Sequence, residues 1–365
     1  MLLVVNAGSS SLKLAVFDAG LAQVAQARAE RIGTGGAATH LDALQQGLAE
    51  MALTPAQLTG AAHRVVHGGR GLTNTLRVTP AVLEGIRACI PLAPLHNPAN
   101  LMAIEALARL APDLPQYASF VTGFHASNPD VATRYALPAS ASDLGLRRYG
   151  FHGISYASLV RNLRDAGDLP PRVLGLHLGN GVSLCAILNG CSVATTMGYS
   201  PVSGLTMGTR SGDIDANAVL KLAEVHGIEG AGQILNRASG LLGLGGVADM
   251  RAIHAETSPE ARFAIGHFVY WVIRHAGSMI AAMGGVDLLA FTGGIGENDA
   301  VVRAGITAGL GWTGLQVDAD RNARGAGQLQ NDASRVSVWL VPADEERHIA
   351  AEALELIRAT PAEEP

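Results

Sequence analysis

Two apolar, β-prone runs separated by a turn of small residues occur twice in this chain, and that repetition limits the fold more than any other feature. The first copy is Leu2-Leu3-Val4-Val5-Asn6-Ala7, then Gly8-Ser9-Ser10-Ser11, then Leu12 to Asp18. The second is Val173 to Leu178, then Gly179-Asn180-Gly181, then Val182 to Gly190. Strand, glycine turn and strand near the start of each half is the pattern of a duplicated domain, and 365 residues suffice for two cores of ordinary size. The duplication predicts two phosphate-facing hairpins looking at each other across a cleft. In such a turn backbone N–H groups come close to an anion, the hydroxyls of Ser9 and Ser11 add hydrogen bonds, and Lys13 supplies a point charge. The stretch is not a Walker A loop, because the Gly-Lys-Ser/Thr ending and the following helix are absent. Taken alone, it fits a phosphate cradle or an ordinary hairpin turn with a surface lysine.

The remaining elements follow from periodicity. Gln23 to Ile32 reads as a third strand, Leu41 to Met51 as a helix, and Ala61 to Gly69 as a short strand ending in a glycine pair. His63 and His67 have the spacing of a helical metal site, but a β-branched, glycine-terminated run without an HExxH glutamate argues against zinc. Pro80 to Ile90 and Pro98 to Leu110 read as helices, with proline near the first turn of the second, and Tyr117 to Thr122 as a strand. Asp287 to Phe291 forms a strand that enters the glycine loop Thr292 to Asn298 and opens the helix Val301 to Leu310, an arrangement suited to a nucleotide at a helix N-terminus. Glu345 to Ala359 reads as the final helix.

Composition excludes several classes of function. A net charge of −5 and the lack of any long Lys/Arg cluster give no footprint for nucleic acid. The N-terminus runs directly into Asn6 and the turn, without the basic and apolar segments of a leader or an anchor, so no membrane association is expected. Cys89, Cys185 and Cys191 form neither an even set nor a CxxC pair, which suits a reducing, cytoplasmic setting.

Eight segments in order across nearly the whole chain resemble the acetate kinase family, within the actin, sugar kinase and Hsp70 ATPase fold group. They are Asn6-Ala-Gly-Ser-Ser-Ser-Leu-Lys13, His63-Arg-Val-Val-His-Gly-Gly69, Ala93-Pro-Leu-His-Asn-Pro98, Tyr149-Gly-Phe-His-Gly153, His177-Leu-Gly-Asn-Gly181, Met207-Gly-Thr-Arg210, Phe291-Thr-Gly-Gly-Ile-Gly-Glu-Asn298 and Pro342-Ala-Asp-Glu-Glu346. The resemblance implies an α/β chain of two duplicated ribonuclease H-like domains with the active site in the interdomain cleft. Residues 1–125 would form one domain, with a C-terminal helix 346–365 packed on it, and 126–345 the nucleotide-binding and dimerisation domain. It further implies a homodimer and Mg²⁺-dependent phosphoryl transfer, with Mn²⁺ as a substitute ion, between ATP/ADP and a small carboxylate such as acetate. The chain is shorter than usual for the family between Ile32 and Leu41.

The resemblance also assigns roles to residues. Moving a phosphoryl group between two anions calls for arginines, whose fork matches carboxylate and phosphate oxygens. Arg64 and Arg210 match the family's arginines for this task, and His152 matches the histidine that donates to the transferring group. His96 and His125 are expected to be structural or to stand behind the site. Val66, Leu95, Phe151 and Pro201 match the acyl pocket, although pocket and core are built from the same residue types. Ser9, Ser11 and Lys13 match the first phosphate loop and His177, Leu178, Gly179, Asn180 and Gly181 the second. Asp249, Met250 and Arg251 match an adenine and ribose segment, and Gly294, Ile295, Gly296, Glu297 and Asn298 the adenosine loop, with Arg303 closing over the adenine side. Asn6 and Glu345 match the magnesium-side positions.

One segment departs from the family. Phe-Asp-Thr-Ala-Phe-His reads Phe120-Val121-Thr122-Gly123-Phe124-His125 here, so Val121 stands at the position of an aspartate and can neither ligate a metal nor accept a proton. Three readings stay open: an active kinase that compensates through Glu345 or water, a weakened relative that still binds nucleotide, or a substituted acetate kinase. A propionate or butyrate kinase is the nearest alternative. A sugar kinase is a further rival, but it would need a carboxylate base facing a neutral hydroxyl rather than paired arginines.

Overall fold

A computed structural model describes residues 1–142, 144–325 and 327–359. The chain divides into two compact units, one of Met1–Ala126 joined by the C-terminal segment from Asp344, the other Ser127–Ala343. Glu345 therefore stands with the first unit. The final helix is Glu345–Ala359, and the rest of the 346–365 segment lies outside the described residues.

The first unit holds a six-stranded sheet built from β1 (Leu2–Ala7), β2 (Ser11–Phe17), β3 (Gln23–Glu30), β4 (Gly60–Val65), β5 (Leu76–Arg77) and β6 (Gln116–Phe120), in the order β3-β2-β1-β4-β6-β5. β1 runs antiparallel to β2 on one side and parallel to β4 on the other. Strand alternation sends Leu3, Val5 and Ala7 to one face of the sheet. There they pack with Ala43, Leu44 and Leu48 of the helix His40–Glu50 and Ala103, Ala106 and Leu107 of the helix Asn97–Leu110. The C-terminal helix contacts β1 and β4 and buries Ile349, Ala350, Ala353 and Leu354.

The second unit repeats this plan. Its strands are β7 (Arg172–Leu178), β8 (Val182–Leu188), β9 (Cys191–Thr195), β10 (Leu288–Thr292), β11 (Gly327–Gln328) and β12 (Ser337–Leu340), ordered β11-β12-β10-β7-β8-β9. β7 is antiparallel to β8 and parallel to β10, and β10 is parallel to β12. Read from the hairpin outward, the two orders are the same, down to a short antiparallel strand on the far edge. This is the duplicated ribonuclease H-like architecture. The 25-residue helix Pro259–Met283 lies on this sheet and buries Ala261, Ala264, Phe268, Val272, Ala276 and Ile280, spaced by three or four residues as one helical face requires. A Cβ at Gly175 would lie 2.9 Å from the Tyr156 ring, so glycine in β7 is what admits the helix Gly153–Asp165 at that distance.

The glycine loop after β10 differs from its expected form. Gly293–Asn298 is itself a helix, followed at once by the helix Ala300–Gly309. Glycine disfavours helix intrinsically, so the turn is imposed from outside. The Glu297 carboxylate accepts from Gly293 N (3.1 Å) and Ala343 N (2.9 Å), and the Arg303 guanidinium takes the carbonyls of Gly296 and Glu297 (both 2.9 Å).

His63 lies in β4, fully buried, with Nε2 2.7 Å from Gln116 Oε1. Burial lowers its pKa from 6.5 to about 4. Between those values the unfolded chain binds a proton that the folded chain does not, so His63 costs nothing above pH 6.5 and destabilises progressively as pH falls toward 4. At ~1.4 kcal/mol per pH unit, the loss reaches about 3 kcal/mol. Urea midpoints measured across this range should fall steeply in the native chain and less steeply in His63→Gln.

Candidate active site

In the first unit, Asn6, Arg64, Val66 and Val121 stand at or just beyond the carboxyl ends of β1, β4 and β6. Asn6 pairs with Lys13 and Ala7 with Leu12 across the hairpin, so Gly8–Ser11 is the turn itself, closed by Gly8 N donating to Ser11 O at 2.8 Å. His40 Nε2, 2.8 Å from Gly8 O, and Ile32 N, donating to Ser10 O at 2.9 Å, hold the turn from beneath. Ser9 is exposed and Ser11 half-buried. Asn100 is buried and bridges two strand ends: its amide donates to Ala7 O (2.9 Å) and accepts from Val66 N (3.0 Å). Asn97 treats His67 in the same way, accepting from its N–H and donating to its C=O, each at 3.0 Å. Asn97 falls in the segment Ala93 to Pro98 that carries the family resemblance and Asn100 in the helix after it, and neither was singled out from the sequence.

Two ion pairs anchor the cations of this unit. Arg64 Nε donates to Glu345 Oε2 at 2.9 Å, and Lys13 Nζ to Glu346 Oε1 at 2.8 Å. Arg64 and Glu345 are each about four-fifths buried, whereas Lys13 is nearly half exposed. Val121 is buried immediately after β6, and its N–H donates to Val65 O at 2.9 Å. Arg64 pairs with Ser119 and Val65 with Phe120 in the parallel register. Continued alternation therefore puts Arg64, Val66, Ser119 and Val121 on one face of the sheet, the face on which Glu345 meets Arg64. Leu95 is exposed in the turn before the helix Asn97–Leu110.

In the second unit, His152 is the N-cap of the helix Gly153–Asp165, at φ 58° and ψ 20°. This left-handed conformation is uncommon for a residue with a side chain and marks a site where surrounding contacts hold the backbone. The His152 ring stacks on His177, with centroids 4.0 Å apart. His152 Nδ1 lies 2.8 Å from Ser183 Oγ, and His177 Nδ1 lies 2.9 Å from Ser155 Oγ. Arg210 Nη1 donates to Pro201 O at 3.1 Å, and burial lowers the guanidinium pKa without threatening its charge. A methyl group placed on Gly181 would lie 3.0 Å from His152 Nε2 and 3.5 Å from Arg210 Nη1, so both side chains point at the second glycine turn. Phe151 is buried and Pro201 half-buried.

Next to that turn lies a cavity of about 1050 Å³ lined by Gly179 and Asn180, by Ala248, Asp249, Met250, Arg251 and His254, and by Gly294, Ile295 and Asn298 to Val301. Asp249 and Arg251 form a two-point ion pair (2.6 and 3.1 Å) that holds the Asp249 carboxyl down at about 2. His254 Nε2 lies 2.8 Å from Asp299 Oδ2, and Asp299 also caps the helix Ala300–Gly309. Ala248, His254, Asp299, Ala300 and Val301 were not anticipated. Asp299 carried a readable signal, an acidic residue immediately before an apolar-periodic run. A Cβ at Gly208 would lie 2.0 Å from Asn180 Oδ1, so glycine there leaves room for the Asn180 amide where it stands.

Several expected nucleotide contacts are corrected by these positions. Arg303 is 2% exposed and does not close over the cavity; besides the two loop carbonyls it binds Asn322 Oδ1 (2.8 Å) and Asn322 O (2.5 Å). It is a buried clamp that shapes the cavity wall from behind. Leu178 is fully buried and offers the site only backbone, and the Glu297 carboxylate is occupied by Gly293 N and Ala343 N. His177, Gly181 and Gly296 adjoin the cavity without lining it.

Comparison with known proteins places this geometry. Residues 34–351 match the family model described as the Acetokinase family. The chain is 41% identical to an acetate kinase of Rhodopseudomonas palustris, with 96% of each sequence aligned. Among solved structures, an acetate kinase of Porphyromonas gingivalis superimposes with a TM-score of 0.92 at 33% identity, covering 98% of this chain and 99% of that one. A propionate kinase of Francisella tularensis gives 0.91 at 32% identity, covering 96% and 98%.

Proposed function

The chain belongs to the acetokinase family, and we propose that it transfers the γ-phosphoryl group of ATP to the carboxylate of acetate, reversibly, giving acetyl phosphate and ADP. The observation that carries this reading is the pair of largely buried arginines, Arg64 and Arg210, each held by a fixed partner in segments that match the family's motifs. In the reaction a carboxylate oxygen forms a bond to the γ-phosphorus while the bond from that phosphorus to the β,γ-bridging oxygen breaks, and the electron pair leaves with ADP. An ionised carboxylate needs no base, so catalysis consists of positioning and charge neutralisation. Arg64 and Arg210 neutralise the acceptor and the transferring group. His152 donates to the transferring group, and Asn180, Asp249 to Arg251, Gly294, Ile295 and Asn298 receive the nucleoside side. We assign the acyl methyl to Val66, Leu95, Phe151 and Pro201, the residues that match the family's acyl pocket, and longer acids such as propionate and butyrate test that assignment.

The donor set around Asn6 and Glu345 fits a hard cation that arrives with the nucleotide. It offers an amide and a carboxylate, and among the described residues no group of three or more His, Cys, Asp or Glu side chains could cage a metal by itself. Mg²⁺, bound there, would neutralise phosphate charge. Glu345, which we assign to the ion's side, is paired with Arg64, which we assign to the acceptor.

Among the described residues no helix is long and apolar enough to cross a membrane. We place the enzyme in the cytoplasm, where ATP is available. We also propose a homodimer formed through the second unit. This unit exposes Leu220 and Val225 before, and Ile228 after, the kink at Gly227 in Ala216–Arg237, and Phe263 and Tyr270 on the helix Pro259–Met283. Apolar side chains of this size in solvent call for a partner surface. Sedimentation should give a species of twice the chain mass, and Ile228→Asp should shift it to the monomer; a native monomer at micromolar concentration would contradict the proposal.

The functional test is acyl phosphate formation from MgATP with acetate, propionate and butyrate in turn. Turnover is expected, highest with acetate, and Arg210→Ala should lower kcat by about 10²–10³. Val121→Asp places a carboxylate on the face that carries Arg64. It should raise kcat at nearly constant ATP affinity, at some cost in stability for a buried charge. No product from any of the three acids would overturn the reading, and an unchanged kcat in Val121→Asp would show that the position is remote from the chemistry.

A further inference from the structure

His152 does not hold its place alone. Ser183, fully buried in β8, lies between His152 Nδ1 (2.8 Å) and the hydroxyl of Tyr156 (2.7 Å), which is fully buried one turn along the helix that His152 caps. The Tyr156 oxygen is also 2.7 Å from the backbone carbonyl of Ser183. One arrangement gives each of these contacts a proton of its own. A carbonyl only accepts, so the Tyr156 proton goes to Ser183 O. The contact between the two hydroxyl oxygens then uses the Ser183 proton, which is donated to Tyr156. With that proton committed, Ser183 Oγ can meet His152 Nδ1 only as an acceptor, and Nδ1 must carry a hydrogen.

We infer that Ser183 and Tyr156 are positioning residues that fix His152 as the Nδ1–H tautomer, so that its Nε2, facing Gly181, becomes a donor only when the ring holds a second proton. The inference deepens the proposed role of His152 and rests on it. Two other groups that bear on the ring's charge are Arg210, beside Gly181, and His177, stacked at 4.0 Å. The Arg210 charge disfavours a cationic ring in the absence of an anion, and a phosphoryl anion favours it. His152 therefore gains its donor together with the anion, and the bond it makes is charge-assisted, roughly twice as strong as a neutral one. The buried Tyr156 phenol, whose pKa lies well above its ordinary value because of burial, keeps its proton throughout the working range.

Nitrogen NMR of ¹⁵N-histidine-labelled protein, assigned with His152→Gln, reads the tautomer without substrate. The native chain should show His152 protonated at Nδ1 when the ring is neutral. Ser183→Ala, and Tyr156→Phe, which frees the serine proton for donation to Nδ1, should switch it to the Nε2–H form; Ser183→Thr, which keeps a hydroxyl, should retain the native form. In kinetics, native kcat should fall as pH rises through the ring's titration. Ser183→Ala should lose about tenfold at the acidic end, worth ~1.4 kcal/mol, and show a flattened alkaline limb. A native Nε2–H ring, or a Ser183→Ala protein that keeps Nδ1–H, overturns the inference even if the chain is an active kinase. A native Nδ1–H ring in a chain without turnover supports the tautomer lock and overturns only the reading of the reaction.

Discussion

In each sheet the central strand is paired antiparallel on one side and parallel on the other, and that asymmetry decides where chemistry can sit. The antiparallel partner returns through a tight turn, while the parallel partner starts at the opposite end and leaves its own carboxyl end beside that turn. Strand ends, exposed backbone and a change of direction thus coincide, as they do at the switch points of other α/β sheets. Asn6 and Lys13 face each other one pair below the first turn, and His177 and Ser183 occupy the corresponding pair below the second. One plan has been furnished twice with different chemistry, a cation in one hairpin and a histidine network in the other.

The charges on this frame differ in how firmly they are held. The Lys13 and Glu346 pair is open to solvent, and such pairs contribute about 0–1 kcal/mol. A phosphate can displace Glu346 at little cost. Arg64 and Glu345 are mostly buried, and breaking such a pair strands a charge at a cost of about 3–5 kcal/mol. Arg64 is therefore better suited to recruit its substrate while still paired than to release its partner. Arg210, held by a carbonyl and the Met207 sulfur rather than by a carboxylate, keeps its full charge for an incoming anion.

Local chemistry made much of this legible. The two hairpins announce themselves through apolar runs and turn residues, and the final helix begins at Glu345 as expected because its period and its acidic start are both local signals. Gly293–Asn298 was unreadable as a helix because three glycines oppose it, and the side-chain contacts that hold it, from Glu297 inside the turn, from Arg303 in the next helix and to Ala343 far along the chain, form only in the fold. Arg303 misled for a related reason: an arginine one turn into a helix has no local signal that says whether it points to a ligand or to the carbonyls behind it. Asn97, Asn100 and Ser183 were missed because their partners are strand ends and side chains whose adjacency only the fold creates.

The central claim is that Arg64 and Arg210 both serve one phosphoryl transfer. A double-mutant cycle tests it most directly: kcat/KM for acetyl phosphate formation in the native chain, in Arg64→Ala, in Arg210→Ala and in the double variant. Groups serving one transition state are strongly non-additive, so the double variant should lose far less than the product of the two single losses. A double variant that loses the full product would show two arginines working independently, and the account would be wrong.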